Sequence, residues 1–465
     1  MAFEQRSLDA ASAKMRAAGQ SEEAIQSFIS ALRRVRSGAR TLIPSSDLEP
    51  APDVPSLSRL PAVDGARALA NIAVVKLNGG MATTMGLTRP KSLIEARDGR
   101  TFLDVIVGQT LALRRRHGVP LPLVLMDSEV TRAETLRALS AYPQLPIDGL
   151  AADFLQSMVP KLDAETLAPV SWPASPALEW CPPGHGDVYV SLSGSGMLDA
   201  LRERGVRYAM ISNSDNLGAT VDPRIAAHLA AEEVPFLMEV VLGTAADRKG
   251  GHIARRRSDG QLVLREIAQT PEEDAESFRD YQRWRYYNTN TLWVDVERLS
   301  SLLHRGHGAL ELPVIVNRKT VDPRDPCSTP VVQLESAMGA AIGCFADASL
   351  LLVPRTRFVP VKSTDDLVVL RSDAYALGPD LEVTPAPECR DRLPLVDLDE
   401  RYYRLLDDFD ARLPDGPPSL REAVRLIVHG DVTFGAGVVV RGEVQLDALQ
   451  PTRIEPGTVL GSDQD

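Results

Sequence analysis

Residues 74–94 read Val-Val-Lys-Leu-Asn-Gly-Gly-Met-Ala-Thr-Thr-Met-Gly-Leu-Thr-Arg-Pro-Lys-Ser-Leu-Ile: an apolar, β-like run enters a loop through Gly79 and Gly80 and ends on the Pro90-Lys91 pair. Two residues without a Cβ let main-chain amides approach a ligand closely, and a turn of successive amides forms a concavity for anionic oxygens. Lys91 adds a full positive charge, a point donor suited to a phosphate chain. No G-x-G-x-x-G fingerprint can be read here, and no Gly-Lys-Ser/Thr closes the loop as in a Walker motif. Taken alone, two glycines after a strand are more often a plain turn.

The rest of the chain constrains what such a loop serves. With 465 residues it is long enough for two to four domains, or one large domain with appendages. Acidic residues (63) outnumber basic ones (51), and a net charge of -12 argues against nonspecific binding to nucleic acid or anionic membranes. A bound phosphate must then be gripped by local donors that oppose the global field. No apolar run approaches the roughly 20 residues that cross a bilayer, and the N-terminus lacks the basic-then-apolar order of a secretory signal. Cys181, Cys327, Cys344 and Cys389 lie far apart without C-x-x-C spacing, which reads as reduced, packed thiols in a cytoplasmic protein.

Recurring apolar positions (Ala24, Ile25, Phe28, Ile29, Leu32) predict one or two amphipathic helices within residues 1–40. Residues 43–60, rich in Pro, Ser and Asp, read as an irregular connection. Short apolar runs at 73–77, 121–126, 208–212, 236–242 and 291–296 then alternate with helical patterns such as 103–116 and 223–232. That alternation predicts an α/β fold with a mainly parallel sheet, whose ligands sit at the carboxyl ends of the strands. In the tail, Leu426, Val432, Val438 and Val444 recur at a six-residue step with glycines between them. A hexad predicts a β-helix; an ordinary hairpin with glycine turns is the alternative.

Several short strings have the chemistry of a site. Cys181-Pro182-Pro183-Gly184-His185-Gly186-Asp187 stiffens a loop that presents amides and an imidazole, though a tight surface turn has the same composition. Asp215, in Ser212-Asn213-Ser214-Asp215-Asn216, falls just past a strand end, where a carboxylate beside phosphates suits Mg²⁺ and an Asx turn is the plain alternative. Lys249-Gly250-Gly251 and Glu266-Ile267-Ala268-Gln269 offer a glycine backbone and a carboxylate to hydroxyl groups. Lys362, in Pro360-Val361-Lys362-Ser363, reads on composition as a surface lysine. Gln333-Leu334-Glu335-Ser336-Ala337-Met338-Gly339-Ala340-Ala341 reads as the start of a packed helix rather than as part of a site.

Together these strings resemble, in order and over roughly residues 40–450, the eukaryotic-type UTP:glucose-1-phosphate uridylyltransferases, also called UDP-glucose pyrophosphorylases. The Asn78-Gly79-Gly80 loop with Pro90-Lys91-Ser92, the run Thr101-Phe102-Leu103-Asp104, Pro182-Pro183-Gly184-His185-Gly186-Asp187, Asn213-x-Asp215-Asn216-Leu217-Gly218-Ala219, Lys249-Gly250-Gly251, Glu266-Ile267-Ala268-Gln269, Asn288-Thr289-Asn290 and Pro360-Val361-Lys362 carry the resemblance. It implies a Rossmann-like, glycosyltransferase-A-like nucleotidyltransferase with a mixed sheet, helices on both faces and a C-terminal left-handed β-helix. The corresponding divisions are an N-terminal helical segment and linker (1–60), a catalytic domain (61–385) and a C-terminal linker with the β-helix (386–465).

What the resemblance implies for the chemistry is transfer of the uridylyl group of UTP to glucose 1-phosphate, giving UDP-glucose and pyrophosphate, reversibly and with Mg²⁺ on Asp215. Lys91 and Lys362 would be the catalytic cations. Leu77, Asn78, Gly79, Gly80, Gln156, Gly184 and Asp215 would meet the nucleotide, with the Gln156 amide reading the uracil edge. His185, Asn213, Ser214, Gly251, Glu266, Asn288, Thr289 and Asn290 would meet the sugar phosphate. A related enzyme for galactose 1-phosphate or an N-acetylhexosamine 1-phosphate, or a non-catalytic sugar-nucleotide binder, are the alternatives, and a homo-oligomer is left open. Two departures stand out: Ala82 replaces a third loop glycine, and Thr88-Arg89 replaces Lys-Gly, which puts a second cation near the phosphates.

Overall fold

Four nearly continuous apolar runs, Ile72–Leu77, Leu123–Asp127, Asp153–Leu155 and Tyr208–Asn213, become the parallel centre of the sheet. Such runs, lacking polar alternation, mark strands covered on both faces. The computed structural model describes residues 2–38, 41–81, 85–244, 247–390 and 392–461. Tyr208–Asn213 lies parallel to Ile72–Leu77, which pairs in parallel with Leu123–Asp127, and that strand with Asp153–Leu155. Leu123–Asp127 starts two residues later than expected because Pro122 has no N–H to give, although its carbonyl accepts from Val74 at 2.8 Å.

The sheet is mixed rather than mainly parallel. Tyr286–Asp295 runs antiparallel to Tyr208–Asn213 on one side and to Phe236–Leu242 on the other. It starts five residues before the apolar signal at Thr291, because Asn288 and Asn290 interrupt that signal while sheet pairing still recruits their backbone. Residues 43–60 are not wholly irregular either. Leu48–Pro50 adds an antiparallel edge strand against His252–Arg256, and an edge is where Pro50 is tolerated.

Alternate residues of the central strands face different cores. Ile72 and Val74 join Phe102, Ile106 and Leu229 on one side; Ala73, Val75 and Leu77 join Val188, Leu192, Met197 and Leu299 on the other. The helix Phe102–His117 starts on a reciprocal capping box between Thr101 and Asp104 and ends on Gly118 at φ 65°. Two N-terminal helices, Ala2–Ala17 and Glu22–Arg36, pack through Ile25, Phe28 and Leu32 onto Val159, Val190 and Val332. No helix among the described residues is long and apolar enough to cross a membrane. All four cysteines are free; Cys181 and Cys389 are buried, Cys344 is partly buried, and Cys327 is exposed, contrary to the packed role expected of it.

In the tail every pairing is parallel, which rules out the hairpin alternative. Leu395–Leu398, Ser419–His429, Val439–Asp447 and Val459–Leu460 form one sheet, and Val432–Phe434 pairs with Thr452–Ile454 in another. Leu426 lies opposite Val444, three six-residue steps later, so each circuit returns over the last. Leu426, Val432, Val438 and Val444 are all buried, in the same apolar cluster as Phe102 and Leu351 of the main body. Leu426→Ala is therefore expected to cost about 2–5 kcal/mol, read from equilibrium urea denaturation. A loss under about 1 kcal/mol would mean that the hexad positions do not carry the packing of the tail.

Candidate active site

The four parallel strands all deliver their carboxyl ends to one cleft of about 180 Å³. Leu77 leads to Gly79 and Gly80, Met126 lies one residue before the end of the second strand, Leu155 leads to Gln156, and Asn213 leads to Ser214 and Asp215; Lys91 and His185 complete the lining. The glycine loop returns on itself. Lys91 N–H donates to the Gly80 carbonyl at 3.1 Å, and Met81 bridges to Pro90, so the lysine comes back beside the glycines eleven residues after them. A Cβ on Gly79 would lie 2.7 Å from Gln156 Oε1, so a side chain there would displace the Gln156 amide from its place beside the loop.

Asn78 is not directed into the cleft. Its buried amide donates to Asp127 Oδ1 at 2.7 Å and to Thr135 Oγ1 at 3.0 Å, which makes it a support for the loop. Arg89 is exposed and turns its guanidinium onto the Leu93 carbonyl. Ala82 lies outside the described residues.

Asp215 is the electrostatic centre. Its Oδ2 accepts from Lys91 Nζ at 2.9 Å and from Lys362 Nζ at 3.2 Å, two cations from segments 271 residues apart. Burial alone would raise the Asp215 carboxyl, but the charges of Lys362 and Lys91 outweigh it and hold the group below its usual range. Lys91 is mostly buried, whereas Lys362 keeps 60% of its side-chain exposure, so one ammonium is fixed and the other reaches in from solvent. Oδ1 of Asp215 is buried without a hydrogen-bond partner. Such an orphaned oxygen fits a hard cation. Among the described residues no cluster of three or more His, Cys, Asp or Glu could hold a metal; a single carboxylate is compatible with Mg²⁺, which takes one or two and fills its shell with phosphate and water.

His185 is set up as a donor. Gly184, at φ 81°, turns the chain tightly against the backbone of residue 336, where a Cβ would meet the Ser336 carbonyl at 2.5 Å. Met338 N–H then donates to His185 Nδ1 at 3.0 Å. An amide can only donate, so Nδ1 bears the lone pair and the neutral ring carries its proton on Nε2. Burial, aided by the charge of Lys362, pushes the imidazole down to about 4, which keeps it neutral at physiological pH.

A second group of residues lies along the same wall. Past Met338, a Cβ on Gly339 would lie 2.8 Å from Asn288 Nδ2. Asn288 N–H donates to the Gly251 carbonyl at 3.0 Å, and a Cβ on Gly251 would lie 2.7 Å from the Glu266 carboxylate. Asn288 and Asn290 hydrogen-bond each other, with Asn290 at φ 54°. Burial pushes the Glu266 carboxyl up, so an acceptor waits beside bare backbone. Thr289 points the other way: it is buried, and its hydroxyl donates to the Glu239 carbonyl at 2.8 Å. Strand alternation imposes this, since neighbours of 288 and 290 face opposite sides.

The link between the two groups is not what the sequence suggests. Gln333–Glu335 closes an antiparallel strand, Pro330–Glu335, so the buried helical stretch of this string, a 3-10 turn over Met338–Cys344, begins only five residues later, and Ser336 to Gly339 form the bridge from His185 to Asn288. The one signal available was Gly339, whose lack of a side chain permits the contact. Larger clefts exist, one of about 560 Å³ lined by Leu57, Leu242 and Pro354, but it gathers neither the glycine loop nor the two lysines.

Comparison with known proteins places this arrangement. A family model described as UTP--glucose-1-phosphate uridylyltransferase matches residues 25–441. The barley protein named UTP--glucose-1-phosphate uridylyltransferase is 38% identical over 450 residues, covering 95% of this chain and 92% of the relative. A variant of UDP-glucose pyrophosphorylase from Leishmania major, solved in complex with UDP-glucose, superposes with a TM-score of 0.92 at 42% identity over 98% of both chains. The Trypanosoma brucei UDP-glucose phosphorylase structure gives 0.90 at 41% identity over 98% of both chains.

Two histidines with lowered pKa values, His185 and His252, make a pH prediction. His252, just after Gly251, stacks on Trp284 with ring centres 4.9 Å apart and lies 4.8 Å from Phe278, with neither ring nitrogen hydrogen-bonded. Burial, with Arg265 and Arg283 nearby, pushes it down to about 3. Both histidines are thus neutral in the folded protein at pH values where the unfolded chain, with an ordinary value of 6.5, binds protons. Their contribution to stability is present above about 6.5 and is lost as pH falls through the folded values. His252→Phe is expected to make the decline in denaturation free energy between pH 6.5 and 4 shallower than in the parent; an unchanged or steeper decline would contradict a neutral buried ring.

Proposed function

The chain belongs to the UTP--glucose-1-phosphate uridylyltransferase family, and from that premise we propose that its cleft transfers the uridylyl group of UTP to glucose 1-phosphate, giving UDP-glucose and pyrophosphate. The observation that carries this reading is Asp215, buried between Lys91 and Lys362 at the carboxyl ends of the parallel strands and facing the Gly79-Gly80 backbone.

In-line displacement at the α-phosphorus of UTP by a phosphate oxygen of the sugar phosphate asks little covalent chemistry of the protein, so rate comes from alignment and charge neutralisation. The backbone at Gly79 and Gly80 cradles the triphosphate. Lys91 and Lys362 extend from Asp215 to phosphate oxygens, sharing their N–H donors between the two anions so that the buried carboxylate is not left unpaired. Asp215 Oδ1 would hold Mg²⁺, whose chemistry when bound is to neutralise the phosphates and lower the cost of their approach. His185 donates from Nε2 to an oxygen of the sugar phosphate, and its neutrality keeps that donor in place across physiological pH. Gln156, whose Nε2 donates to the Gly184 carbonyl at 3.1 Å, offers its amide to the uracil edge. Asn213 and Ser214 contact the sugar phosphate, and Glu266, the Gly251 backbone, Asn288 and Asn290 engage the hexose hydroxyls.

Around this cleft we read three units, 1–60, 61–385 and 386–465, the last a left-handed β-helix; the six-residue step and the return after three steps support that reading. Four free thiols support a cytoplasmic location.

Lys91→Ala and Lys362→Ala are each expected to lower kcat at least about a hundredfold, the scale of one lost charge-stabilising donor. Removing divalent cations with EDTA is expected to stop pyrophosphate release, and adding Mg²⁺ to restore it. The assay is UTP-dependent pyrophosphate release with glucose 1-phosphate, run against galactose and N-acetylhexosamine 1-phosphates. Near-normal turnover by both variants, or preference for another sugar phosphate, would sink the reading.

A further inference from the structure

Below the cleft lies an ion pair that the reaction as described does not use. Glu239, in the strand Phe236–Leu242, is completely buried. Arg357, in the turn before Lys362, is buried as well, and its Nε and Nη2 each donate to a different Glu239 oxygen at 2.6 Å. Trp293 Nε1 donates to Glu239 Oε1 at 2.9 Å and fixes the carboxylate from the neighbouring strand, Tyr286–Asp295. A fork of this kind defines position and orientation together, because two parallel N–H groups must meet two oxygens in one plane.

Its connections run to both halves of the site. On the nucleotide side, Arg357 Nη2 also donates to the Thr220 carbonyl at 2.7 Å, and the Arg357 carbonyl accepts from Asn216 Nδ2 at 3.2 Å. Asn216 Oδ1 accepts from Val359 N–H at 2.9 Å, and Val361 N–H donates to the Asp215 carbonyl at 3.2 Å. Gly218 lets the two segments touch, since a Cβ there would lie 2.5 Å from the Thr356 carbonyl. On the hexose side, the main-chain carbonyl of the same Glu239 accepts from Thr289, between Asn288 and Asn290.

We propose that Glu239 and Arg357 are positioning residues for uridylyl transfer: the pair sets the Lys362 segment against the Asp215 turn and, through Thr289, keeps that setting in register with the hexose-binding strand. The proposal rests on the reading that Lys362 acts on the phosphates. Simple burial does not call for a pair placed here, because a well-packed apolar pair of similar volume is commonly as stable as a buried ion pair. A lysine about 1 Å out of place, in contrast, costs turnover heavily.

The test is a kinetic cycle on the full chain. Glu239→Gln with Arg357→Gln removes both charges and keeps an acceptor for Trp293; Arg357→Lys keeps the charge and loses the fork. Either change is expected to lower kcat about ten- to a hundredfold, with KM for UTP and glucose 1-phosphate moving less than about threefold. In a Lys362→Ala background the same changes are expected to lower kcat less than about twofold further, because the group they position is gone. Full turnover by Lys362→Ala alone would overturn the reading of Lys362 and the proposal with it. A slow Lys362→Ala whose rate is cut by the same factor as the parent's, or loss of folded protein by circular dichroism in both pair variants, would leave that reading standing and overturn the proposal, assigning the pair to stability alone.

Discussion

One buried carboxylate shared by two ammonium groups sets the terms for everything around it. Asp215 cannot be taken out of water alone: an unpaired buried charge costs several kcal/mol, and removing one partner of a buried pair costs about 3–5 kcal/mol. Lys91 and Lys362 meet that need from separate segments, and the same arrangement holds two phosphate-binding cations on one carboxylate, with one positive charge in excess. In a chain of net charge -12 this local excess of positive charge matters, because it favours an anionic substrate at the cleft itself. The orphaned Oδ1 follows from the same geometry, since both lysines engage Oδ2 and leave the other oxygen unpartnered.

Holding Asp215 at that point requires a rigid turn, and residues 213–220 are fastened from below by two buried cations on consecutive carbonyls. Lys76 Nζ donates to the Ala219 carbonyl and to Ser212 Oγ, both at 2.8 Å, while Arg357 takes the Thr220 carbonyl. Burial, with Arg357 nearby, pushes the Lys76 ammonium down to about 7, even though Glu239 and Asp215 oppose it. A lysine inside a parallel strand is otherwise an anomaly in a run of buried apolar residues; here its two acceptors explain why the run tolerates it.

Much of the site is legible in the linear chain, because its parts are local. Gly79-Gly80 with Lys91, Gly184-His185 and Asn213-Ser214-Asp215 each sit at a strand end or tight turn, where short-range geometry dictates residue type, and they come together at the cleft. The hexad at Leu426, Val432, Val438 and Val444 is equally local, and all four are buried. Where the sequence misleads, a long-range contact overrides the local pattern. Asn78 has the look of a ligand-facing amide and is instead bonded to Asp127, about fifty residues on. Ser336 to Gly339 lead into the buried 3-10 turn Met338–Cys344 and also bridge His185 to Asn288, a role visible only once two distant loops meet.

The amino-acid sequence by itself determined the elements and their chemistry: buried strands from continuous apolar runs, helix starts from capping residues such as Thr101 and Asp104, close backbone approach from glycine, and two lysines in separate motifs. Those properties depend on a residue and its near neighbours, so they survive in the linear text. Only the tertiary structure decided the mixed order of the sheet, the tautomer of His185, the outward-turned Arg89 and the meeting of Lys91 with Lys362 on one oxygen. Most of these are choices of partner across tens or hundreds of residues. Partner choice is set by which surfaces bury one another, and that is a property of the folded whole.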